Sequence, residues 1–236
     1  MNVAIIPARG GSKRIPKKNI KRLGDKPIIS VVIQNLINSG CFDEIVVSTD
    51  DTEIATTARE AGAIIPFVRP AHLSCDHTPT LQVIQHALTF LETDEKNIDL
   101  VCCIYPTAAL IQKHTIECAF KAAKLNKKGF TFSAREFSHP IQRALELKRN
   151  GSVAPREPEK LKERTQDLTA YIHDAGQFYF GHRNTWLQAT SILGNASNGV
   201  FLLGQSQAVD VDTNSDWELL ELIYLGLKTK ARSCNS

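Results

Sequence analysis

A basic segment near the N-terminus is the first part of the sequence that suggests chemistry. Between positions 9 and 22 it has seven cations and no acidic residue: Arg9, Lys13, Arg14, Lys17, Lys18, Lys21 and Arg22. Two adjacent glycines, Gly10 and Gly11, lie inside it, and glycine lets main-chain N–H groups approach a ligand closely. Successive N–H groups form a concave anion site, and guanidinium groups add bidentate contacts to phosphate. The segment therefore predicts a phosphate site, although a charge run alone is more often a solvated loop.

The segment differs from the two common nucleotide-binding signatures. Neither Gly-x4-Gly-Lys-Ser/Thr nor Gly-x-Gly occurs in the sequence. The phosphate interpretation is still favoured, because the cations directly follow an apolar run, Val3–Pro7, that predicts a buried strand. In open α/β sheets ligands bind beyond the carboxyl ends of the strands, where this loop is expected.

Two aspartates near the C-terminus form a second candidate site. Asp210 and Asp212 are two positions apart in an apparent strand, so both carboxylates are expected on one face. Magnesium is commonly held by one or two carboxylates, with water and substrate phosphates as the other ligands. The alternative is a strand-end turn in which Asp212 caps the next helix, and the spacing alone does not decide between the two.

Composition limits the class of protein. The 236 residues are 42% hydrophobic and 22% charged, which is typical of a globular chain. With 28 basic and 25 acidic residues, the basic segment supplies all of the surplus positive charge, which indicates a local anion site rather than a nucleic-acid-binding face. No apolar run approaches the roughly 20 residues of a membrane span. The N-terminus lacks the features of a signal peptide, and the six cysteines show no metal or disulfide spacing, so we expect a reduced, cytoplasmic protein.

Strand and helix patterns alternate along the first half of the chain, which predicts a mostly parallel sheet with helices on both faces. The predicted strands are Val3–Pro7, Glu44–Ser48, Ala63–Phe67 and Leu100–Ile104. The predicted helices are Ile28–Ile37 ending at Gly40, a helix capped by Asp50 or Asp51 and ending at Gly62, Thr80–Leu91 and Thr115–Leu125.

The pattern changes after position 138. Ile141–Leu147 and Val153 predict a hairpin with an Asn150-Gly151 turn, and Ala154–Gln166 is polar and predicts an excursion from the core. Further elements are predicted as strands Gly176–Phe180, Val200–Leu203 and Ala208–Val211, and a last helix, Ser215–Leu227, capped by Asn214 or Ser215.

Several motifs together resemble one enzyme family. They are residues 5–20, Val47–Asp51, Phe67–Pro70, Tyr105–Thr107, Phe137–Ala144, His173–Tyr179 and Val209–Thr213. The chain resembles the CMP-sugar synthetases (acylneuraminate cytidylyltransferases), which activate sialic-acid-like nonulosonic acids with CTP. Arg14 and the motifs at 137–144 and 173–179 are more similar to the pseudaminic acid branch than to the N-acetylneuraminate branch. The implied reaction is CTP plus pseudaminic acid to CMP-pseudaminic acid and pyrophosphate; the alternative is another acid, N-acetylneuraminic or legionaminic.

The resemblance also implies an architecture. It is one nucleotidyltransferase domain over residues 1–236, with a Rossmann-like open sheet of the nucleotide-diphospho-sugar transferase type. An irregular segment at about 138–167 is expected to project from it and to pack against a second subunit, giving a homodimer.

By resemblance, the basic loop and the late aspartates form one nucleotide site. Mg²⁺ is expected at Asp210 and Asp212, which with Arg9, Lys13 and Lys18 make up the expected catalytic set. The expected nucleotide-binding residues are Ala8, Arg9, Gly10, Gly11, Ser12, Lys13, Lys18, Asn19, Arg69 and Thr80, the last two as candidates for contacting cytosine.

A sugar acid needs a cation for its carboxylate, amides for its hydroxyls and an aromatic wall. The candidates are Tyr105, Gln142, Arg143, Arg164, Gln166, His173 and Gln177, with Tyr179 beside them. Tyr105 is equally compatible with a core position, and His173 with a structural role. Arg143 and Arg164 are candidates for reaching a neighbouring subunit's site. A nucleic-acid-binding protein is disfavoured because residues 9–22 contain no aromatic side chain for base stacking. A catalytically inactive nucleotide-binding regulator is disfavoured because both late aspartates are present.

Overall fold

A computed structural model describes residues 1–92 and 97–233. Six strands form the main sheet: β1 (Asn2–Pro7), β4 (Glu44–Ser48), β5 (Leu100–Ile104), β6 (Thr131–Glu136), β9 (Ile172–His182) and β10 (Gly199–Leu202). Four short strands pair in two hairpins outside it: β2 (Arg22–Leu23) with β3 (Lys26–Pro27), and β7 (Leu145–Leu147) with β8 (Val153–Pro155).

The strand order across the main sheet is β10-β6-β9-β5-β1-β4. Strand β1 is parallel to both neighbours, with Ile5 opposite Val46 on one side and Cys103 on the other. Strands β10 and β6 are also parallel, whereas β9 runs antiparallel to β5 and to β6. The predicted mostly parallel α/β sheet is confirmed. Because β1, β4 and β5 run the same way, the loops that follow them meet at one edge of the sheet.

Helices cover both faces of the sheet: α1 (Ile28–Ser39), α2 (Thr52–Glu60), α3 (Thr80–Glu92), α4 (Lys113–Leu125), α5 (Arg183–Gln188) and α6 (Asn214–Ser233). Successive strand residues point to opposite faces. In β1, Ala4 and Ile6 pack in a core with α1, α2, α4 and α6, while Val3 and Ile5 pack in a second core with α3 and α5. Ile5 and Ile6 are both fully buried, and burial of each side chain stabilises the fold by about 1.5–3 kcal/mol.

Several helix ends follow the sequence signals. Gly40 ends α1 with φ +64°, and its N–H donates to the carbonyl of Ile37 at 3.1 Å. The Asp51 carboxylate caps α2 by accepting hydrogen bonds from the N–H groups of Glu53 and Ile54 at 2.8 and 3.0 Å. The last helix is capped differently from the prediction. Thr213, not Asn214 or Ser215, accepts from the N–H of Asp216 at 3.3 Å, and the Asp216 carboxylate accepts from the N–H of Thr213 at 2.7 Å.

Two predicted strands are wrong, and three strands were not predicted: β6 in the main sheet and the two-residue strands β2 and β3. In the described part of the chain, residues 63–67 make a single bridge, Val46 to Ile64, and residues 208–211 belong to no strand. The premise that Asp210 and Asp212 share a strand face is therefore also wrong. Strand β6 had no prediction; it pairs with β9 through a bulge between Phe132 and Ala134.

The segment after β6 leaves the sheet, as predicted. The β7–β8 hairpin has its turn at Asn150-Gly151, where Gly151 has φ +80° and the Asn150 carboxamide accepts from the N–H of Ser152 at 3.0 Å. Two short 3₁₀ turns follow, Pro158–Lys162 and Thr165–Asp167. None of the helices in the described part of the chain is long and apolar enough to cross a membrane.

Candidate functional site

A cleft of about 730 Å³ opens at the carboxyl ends of β1 and β5. It is the place expected for a ligand in an open α/β sheet. The cleft is lined by most of the residues predicted for the nucleotide and the metal, and by two candidates for the sugar: Arg9, Ser12, Lys13, Lys18, Asn19, Arg69, Thr80, Tyr105, Tyr179, Asp210 and Asp212. The structure thus brings residues from both ends of the chain together in one cavity.

The basic loop is held by main-chain contacts at its start. The N–H of Ala8 donates to the carbonyl of Ser48 at 2.9 Å, and the Asn19 carboxamide donates to the carbonyl of Arg9 at 2.9 Å. The N–H of Gly10 donates to the Asp50 carboxylate at 2.9 Å. This N–H is therefore committed to the protein, whereas the N–H of Gly11 has no hydrogen-bond partner among residues 1–92 and 97–233.

Gly10 is required for a reason that the sequence does not indicate. Neither Gly10 nor Gly11 has a positive φ. A Cβ atom at Gly10 would lie 2.7 Å from Asp51 Oδ2 and 2.9 Å from Asp51 Cβ, closer than real Cβ contacts, while one at Gly11 would meet nothing within 4 Å. Gly10 thus lets the loop pass next to the residue that caps α2, and Gly11 leaves its surroundings open.

The two cations at the entrance of the cleft are paired with Asp76. The Arg9 guanidinium donates to Asp76 Oδ1, and Lys13 Nζ lies 2.6 Å from Asp76 Oδ2. These two bonds lower the pKa of Asp76 to about 2. Asp76 is therefore ionised at neutral pH, and it was not predicted as a site residue.

The late aspartates face the basic loop. Lys18 Nζ donates to the carbonyl of Val211 at 2.6 Å, and Arg14 Nη2 lies 2.7 Å from Asp212 Oδ1. Asp210 is half-buried, and burial together with the nearby Asp212 carboxylate raises its pKa. Burial lowers the pKa of Lys18, an effect that Asp212 opposes. The pair of carboxylates and the cations around them could hold a divalent ion and an anionic ligand.

Arg69 forms the floor of the cleft next to β4. Its side chain is 4% exposed; Nε donates to Ser48 Oγ at 3.0 Å and Nη2 donates to the Ser48 carbonyl. Burial lowers the pKa of Arg69 to about 10, so the guanidinium stays charged at neutral pH. Two of its five N–H donors thus hold the end of β4.

The other end of the cleft is aromatic. Thr80 Oγ1 and the Tyr105 hydroxyl share a hydrogen bond of 2.7 Å, and the Tyr179 hydroxyl donates to the Asp174 carboxylate. The rings of Tyr105 and Tyr179 meet edge to face, with centroids 5.9 Å apart. Burial raises the pKa of both tyrosines, which keeps them as neutral hydrogen-bonding groups. This wall also borders a second cavity of about 560 Å³, which continues toward Ile192 and Leu193.

Most residues predicted for the sugar lie outside the cleft of the single chain. Gln177 is 1% exposed, and its amide donates to the carbonyls of residues 175, 176 and 209, so it ties β9 to the segment that carries Asp210. Gln142 is also buried and donates to the carbonyl of Thr169 at 2.8 Å. Neither amide side chain lines the cleft.

Two predicted sugar-binding arginines, one histidine and Gln166 lie on the excursion or at its base. Arg143 donates to the carbonyl of Glu163, and Arg164 and Gln166 are exposed. His173 is exposed, with Nδ1 2.8 Å from the carbonyl of Asp174 and its ring against Phe137. In a single chain these side chains therefore lie on or beside the excursion and do not line the cleft.

Sequence reasoning missed two acidic residues of the cleft, Asp76 and Asp174. Asp174 lies inside the quoted motif His173–Tyr179, so that motif contained a signal for it. Asp76 had none, because nothing in a loop of residues 74–79 indicates that it lies beside Arg9, 67 positions away.

Comparison with known proteins identifies the family of this chain. The model of the cytidylyltransferase family matches residues 3–185. Pseudaminic acid cytidylyltransferase of Campylobacter jejuni is 44% identical over 223 residues, 94% of this chain and 96% of the relative. CMP-N,N'-diacetyllegionaminic acid synthase of Legionella pneumophila is 29% identical over 225 residues, 93% of this chain and 94% of the relative.

A solved structure shares the fold. It is that of CMP:2-keto-3-deoxy-manno-octonic acid synthetase complexed with CTP, with a TM-score of 0.69 at 16% identity, covering 95% of this chain and 98% of the other. The match of the family model and the 44% identity over nearly the whole length go further than fold. This chain is therefore an enzyme of the cytidylyltransferase family.

Proposed function

We propose that this enzyme transfers CMP from CTP to pseudaminic acid, releasing pyrophosphate. The observation that carries the proposal is the 44% identity to the C. jejuni pseudaminic acid cytidylyltransferase across 94% of the chain. The match of the family model to residues 3–185 spans the basic loop and the aromatic wall. In the reaction a hydroxyl oxygen of the sugar acid attacks the α-phosphorus of CTP. A new P–O bond forms, the bond from the α-phosphorus to the bridging oxygen breaks, the hydroxyl proton is released and pyrophosphate leaves.

The basic loop is proposed to hold the triphosphate. Arg9, Lys13 and Lys18 line the cleft, and no covalent intermediate is needed, so positioning and charge stabilisation are their contribution. The main chain from Ala8 to Ser12 adds the free N–H of Gly11, while the N–H of Gly10 is already bonded to Asp50. Asn19 fixes the loop through its bond to the carbonyl of Arg9.

The cytosine base is proposed to lie deeper in the cleft, between Arg69 and Thr80. Both residues line the same cleft as the basic loop. A cytosine ring offers an amino donor and two acceptors. The Arg69 guanidinium supplies donors, and the Thr80 hydroxyl supplies either polarity while it remains bonded to Tyr105.

The two late aspartates fit a magnesium ion. Within the described residues no three His, Cys, Asp or Glu side chains form a metal site, so the protein would supply at most two carboxylates, as is usual for Mg²⁺. The half-buried Asp210 with its raised pKa is the carboxyl that gains most from a nearby cation. Bound Mg²⁺ would supply neutralisation of phosphate charge and a lowered pKa for the attacking hydroxyl. Arg14 and Lys18 hold the segment of Asp210 and Asp212 against the basic loop.

The sugar end is proposed to be completed by a second subunit. Tyr105 lies in the cleft, whereas Gln142, Arg143, Arg164, Gln166 and His173 lie near the excursion at 138–167. The excursion presents apolar side chains to solvent: Leu145 is 57%, Leu147 74% and Val153 61% exposed. A homodimer formed through this segment would cover them and would carry Arg143 or Arg164 toward the partner's cleft. Within each subunit, residues 1–236 are proposed to form a single catalytic domain.

The test of the function is pyrophosphate release by the purified enzyme with CTP and one acid at a time. We expect turnover with pseudaminic acid to exceed that with legionaminic and N-acetylneuraminic acid. A clear preference for legionaminic or N-acetylneuraminic acid would make that acid the assigned substrate. Release with none of them would overturn the activity. The dimer is tested separately by light scattering, with Leu147→Asp expected to give monomers and Leu125→Asp, on the distant end of α4, to leave the mass unchanged.

The cellular setting stays a prediction. The described cysteines, Cys41, Cys75, Cys102, Cys103 and Cys118, are free; the proposal of a reduced, cytoplasmic environment rests on the sequence. Cys234 lies outside the described residues.

A further inference from the structure

Asp76 is bound to two of the cations that the proposed function assigns to the triphosphate. The Arg9 guanidinium donates to one carboxylate oxygen, and Lys13 Nζ lies 2.6 Å from the other. All three side chains line the cleft. A carboxylate therefore lies where phosphate oxygens would have to bind, and its charge neutralises cations that the triphosphate needs.

The segment that carries Asp76 has few other polar ties to the molecule. Among the described residues, the remaining hydrogen bonds of residues 71–79 stay within residues 70–83. Ser74 Oγ, for example, donates to the carbonyl of Pro70 at 3.1 Å, and Thr78 Oγ1 to that of His72 at 3.4 Å. The side chains of Arg9 and Asp76 are 33% and 32% exposed and that of Lys13 is 81% exposed. Water and a competing anion thus have access to both ion pairs.

We propose that Asp76 is an internal competitor of the triphosphate, which holds Arg9 and Lys13 in the nucleotide-free enzyme and withdraws when CTP binds. The inference rests on the proposed function. A triphosphate carries several negative charges against the single charge of the carboxylate, so it wins the exchange. After reaction the same carboxylate can return to the two cations, which favours departure of pyrophosphate. Asp76 therefore weakens CTP binding but prevents the product from being held too tightly.

The experiment is a calorimetric titration of the enzyme with Mg²⁺-CTP, Mg²⁺-pyrophosphate and CMP, in the absence of sugar so that no turnover occurs. Asp76→Asn keeps the size of the side chain and removes its charge. We expect it to bind CTP and pyrophosphate about threefold to thirtyfold more tightly, as two exposed ion pairs would allow. CMP, which has no β- or γ-phosphate, is expected to bind equally to both proteins. The gain should shrink as salt is raised, because screening weakens exposed pairs.

Asp25→Asn is the matched control. Asp25 pairs with Lys228 at 2.5 Å outside the cleft, so this variant loses the same charge elsewhere. An equal gain in Asp25→Asn would overturn the inference, since it would be an effect of net charge. If the unsubstituted protein binds and turns over CTP but Asp76→Asn binds CTP no more tightly, the inference about Asp76 is overturned and the proposed function stands. Failure of the unsubstituted protein to bind CTP would overturn the proposed function and this inference with it.

Discussion

Lys18 and Val211 are 193 positions apart in the chain, yet Lys18 Nζ donates a hydrogen bond of 2.6 Å to the Val211 carbonyl. Val211 lies between the two late aspartates, so this bond joins the basic loop to the acidic segment. Burial lowers the pKa of Lys18, and the nearby Asp212 carboxylate offsets part of this effect. Lys18 thus joins the two halves of the proposed site, and in the proposed function its charge also attracts the anionic nucleotide.

The Lys18→Met substitution removes the ammonium group and keeps most of the aliphatic stem. We expect kcat/KM for CTP to fall about 100-fold, since one charged donor to the reacting phosphates is lost along with the tie to Val211. Steady-state pyrophosphate release measures it. Lys17→Gln is the control, because Lys17 pairs with Glu53 and does not line the cleft. Equal losses in the two variants would show that Lys18 acts only through the charge of the loop.

The Arg9→Ala substitution tests the phosphate loop directly. Turnover is expected to fall about 100-fold or more, because a bidentate phosphate donor is removed. The unfolding midpoint should change by no more than about 2 °C, since a partly exposed loop cation contributes little to stability. Arg22→Ala removes a cation from the same segment but outside the cleft, and it should retain activity. Normal pyrophosphate release in Arg9→Ala would refute the assignment of this loop.

Asp210→Asn should make the enzyme more stable and less active. Burial and Asp212 raise the pKa of Asp210 in the folded state above its ordinary 3.8. A carboxyl whose pKa is raised by folding costs stability at any pH where it is ionised in both states. The variant should therefore unfold at a higher temperature than the unsubstituted enzyme at pH 7, while turnover falls about 100-fold. The stability gain should shrink as the pH falls through the raised pKa toward 3.8.

Asp216→Asn should change the stability in the opposite direction to Asp210→Asn. Hydrogen bonds from Thr213 and from the N–H of Asp212 lower the pKa of Asp216. Its ionised form therefore stabilises the fold above the unfolded pKa, and that contribution is lost as the pH falls through the lowered pKa. This variant should unfold at a lower temperature at pH 7. Melting curves of both variants between pH 3 and pH 7 that move in the same direction would contradict the assigned electrostatics.

Asp212→Asn should weaken the response to Mg²⁺. The half-saturating Mg²⁺ concentration for turnover is expected to rise about tenfold or more, because one of two carboxylates becomes neutral. The rise in melting temperature on addition of Mg²⁺ with CTP should also decrease, which is a readout independent of turnover. Asp25→Asn, outside the cleft, should titrate like the unsubstituted enzyme. An identical titration curve for Asp212→Asn would remove it from the metal site.

Gly10→Ala and Gly11→Ala should behave differently although the residues are adjacent. The added methyl at Gly10 would lie 2.7 Å from Asp51 Oδ2 and displace the cap of α2, whereas that at Gly11 meets nothing within 4 Å. We expect Gly10→Ala to lose about 1 kcal/mol of folding free energy, the typical value of a cap, and Gly11→Ala to be near neutral. Urea denaturation compares the two. Equal stability of both variants would show that the loop shifts freely away from Asp51.

Local signals predicted the first half of the fold well. Gly40 and Asp51 ended and began helices as their residue types indicate, because caps depend on a few neighbouring atoms. Strand β6 and the central antiparallel position of β9 were not predicted, because pairing partners far apart in sequence decide them. The same reason explains why Ala63–Phe67 is not a strand: among residues 1–92 and 97–233 this apolar segment has one bridge partner, Val46.

The candidate site also has residues that the sequence predicts and residues that only packing reveals. The cations, the two glycines and the aspartate pair were visible as residue types at fixed spacing. Asp76 and the burial of Gln177 were not, since a carboxylate beside Arg9 and an amide enclosed by main-chain carbonyls exist only after the loops have packed.

The sequence by itself determined the chemistry that this protein carries: a cationic loop after the first strand, an acidic pair near the end, and the alternation that builds a parallel sheet. Only the tertiary structure decided which of these groups meet. Closing the chain around the sheet put Lys18 against Val211, Arg9 and Lys13 against Asp76, and Gln177 in the interior, because packing depends on contacts between residues far apart in the sequence.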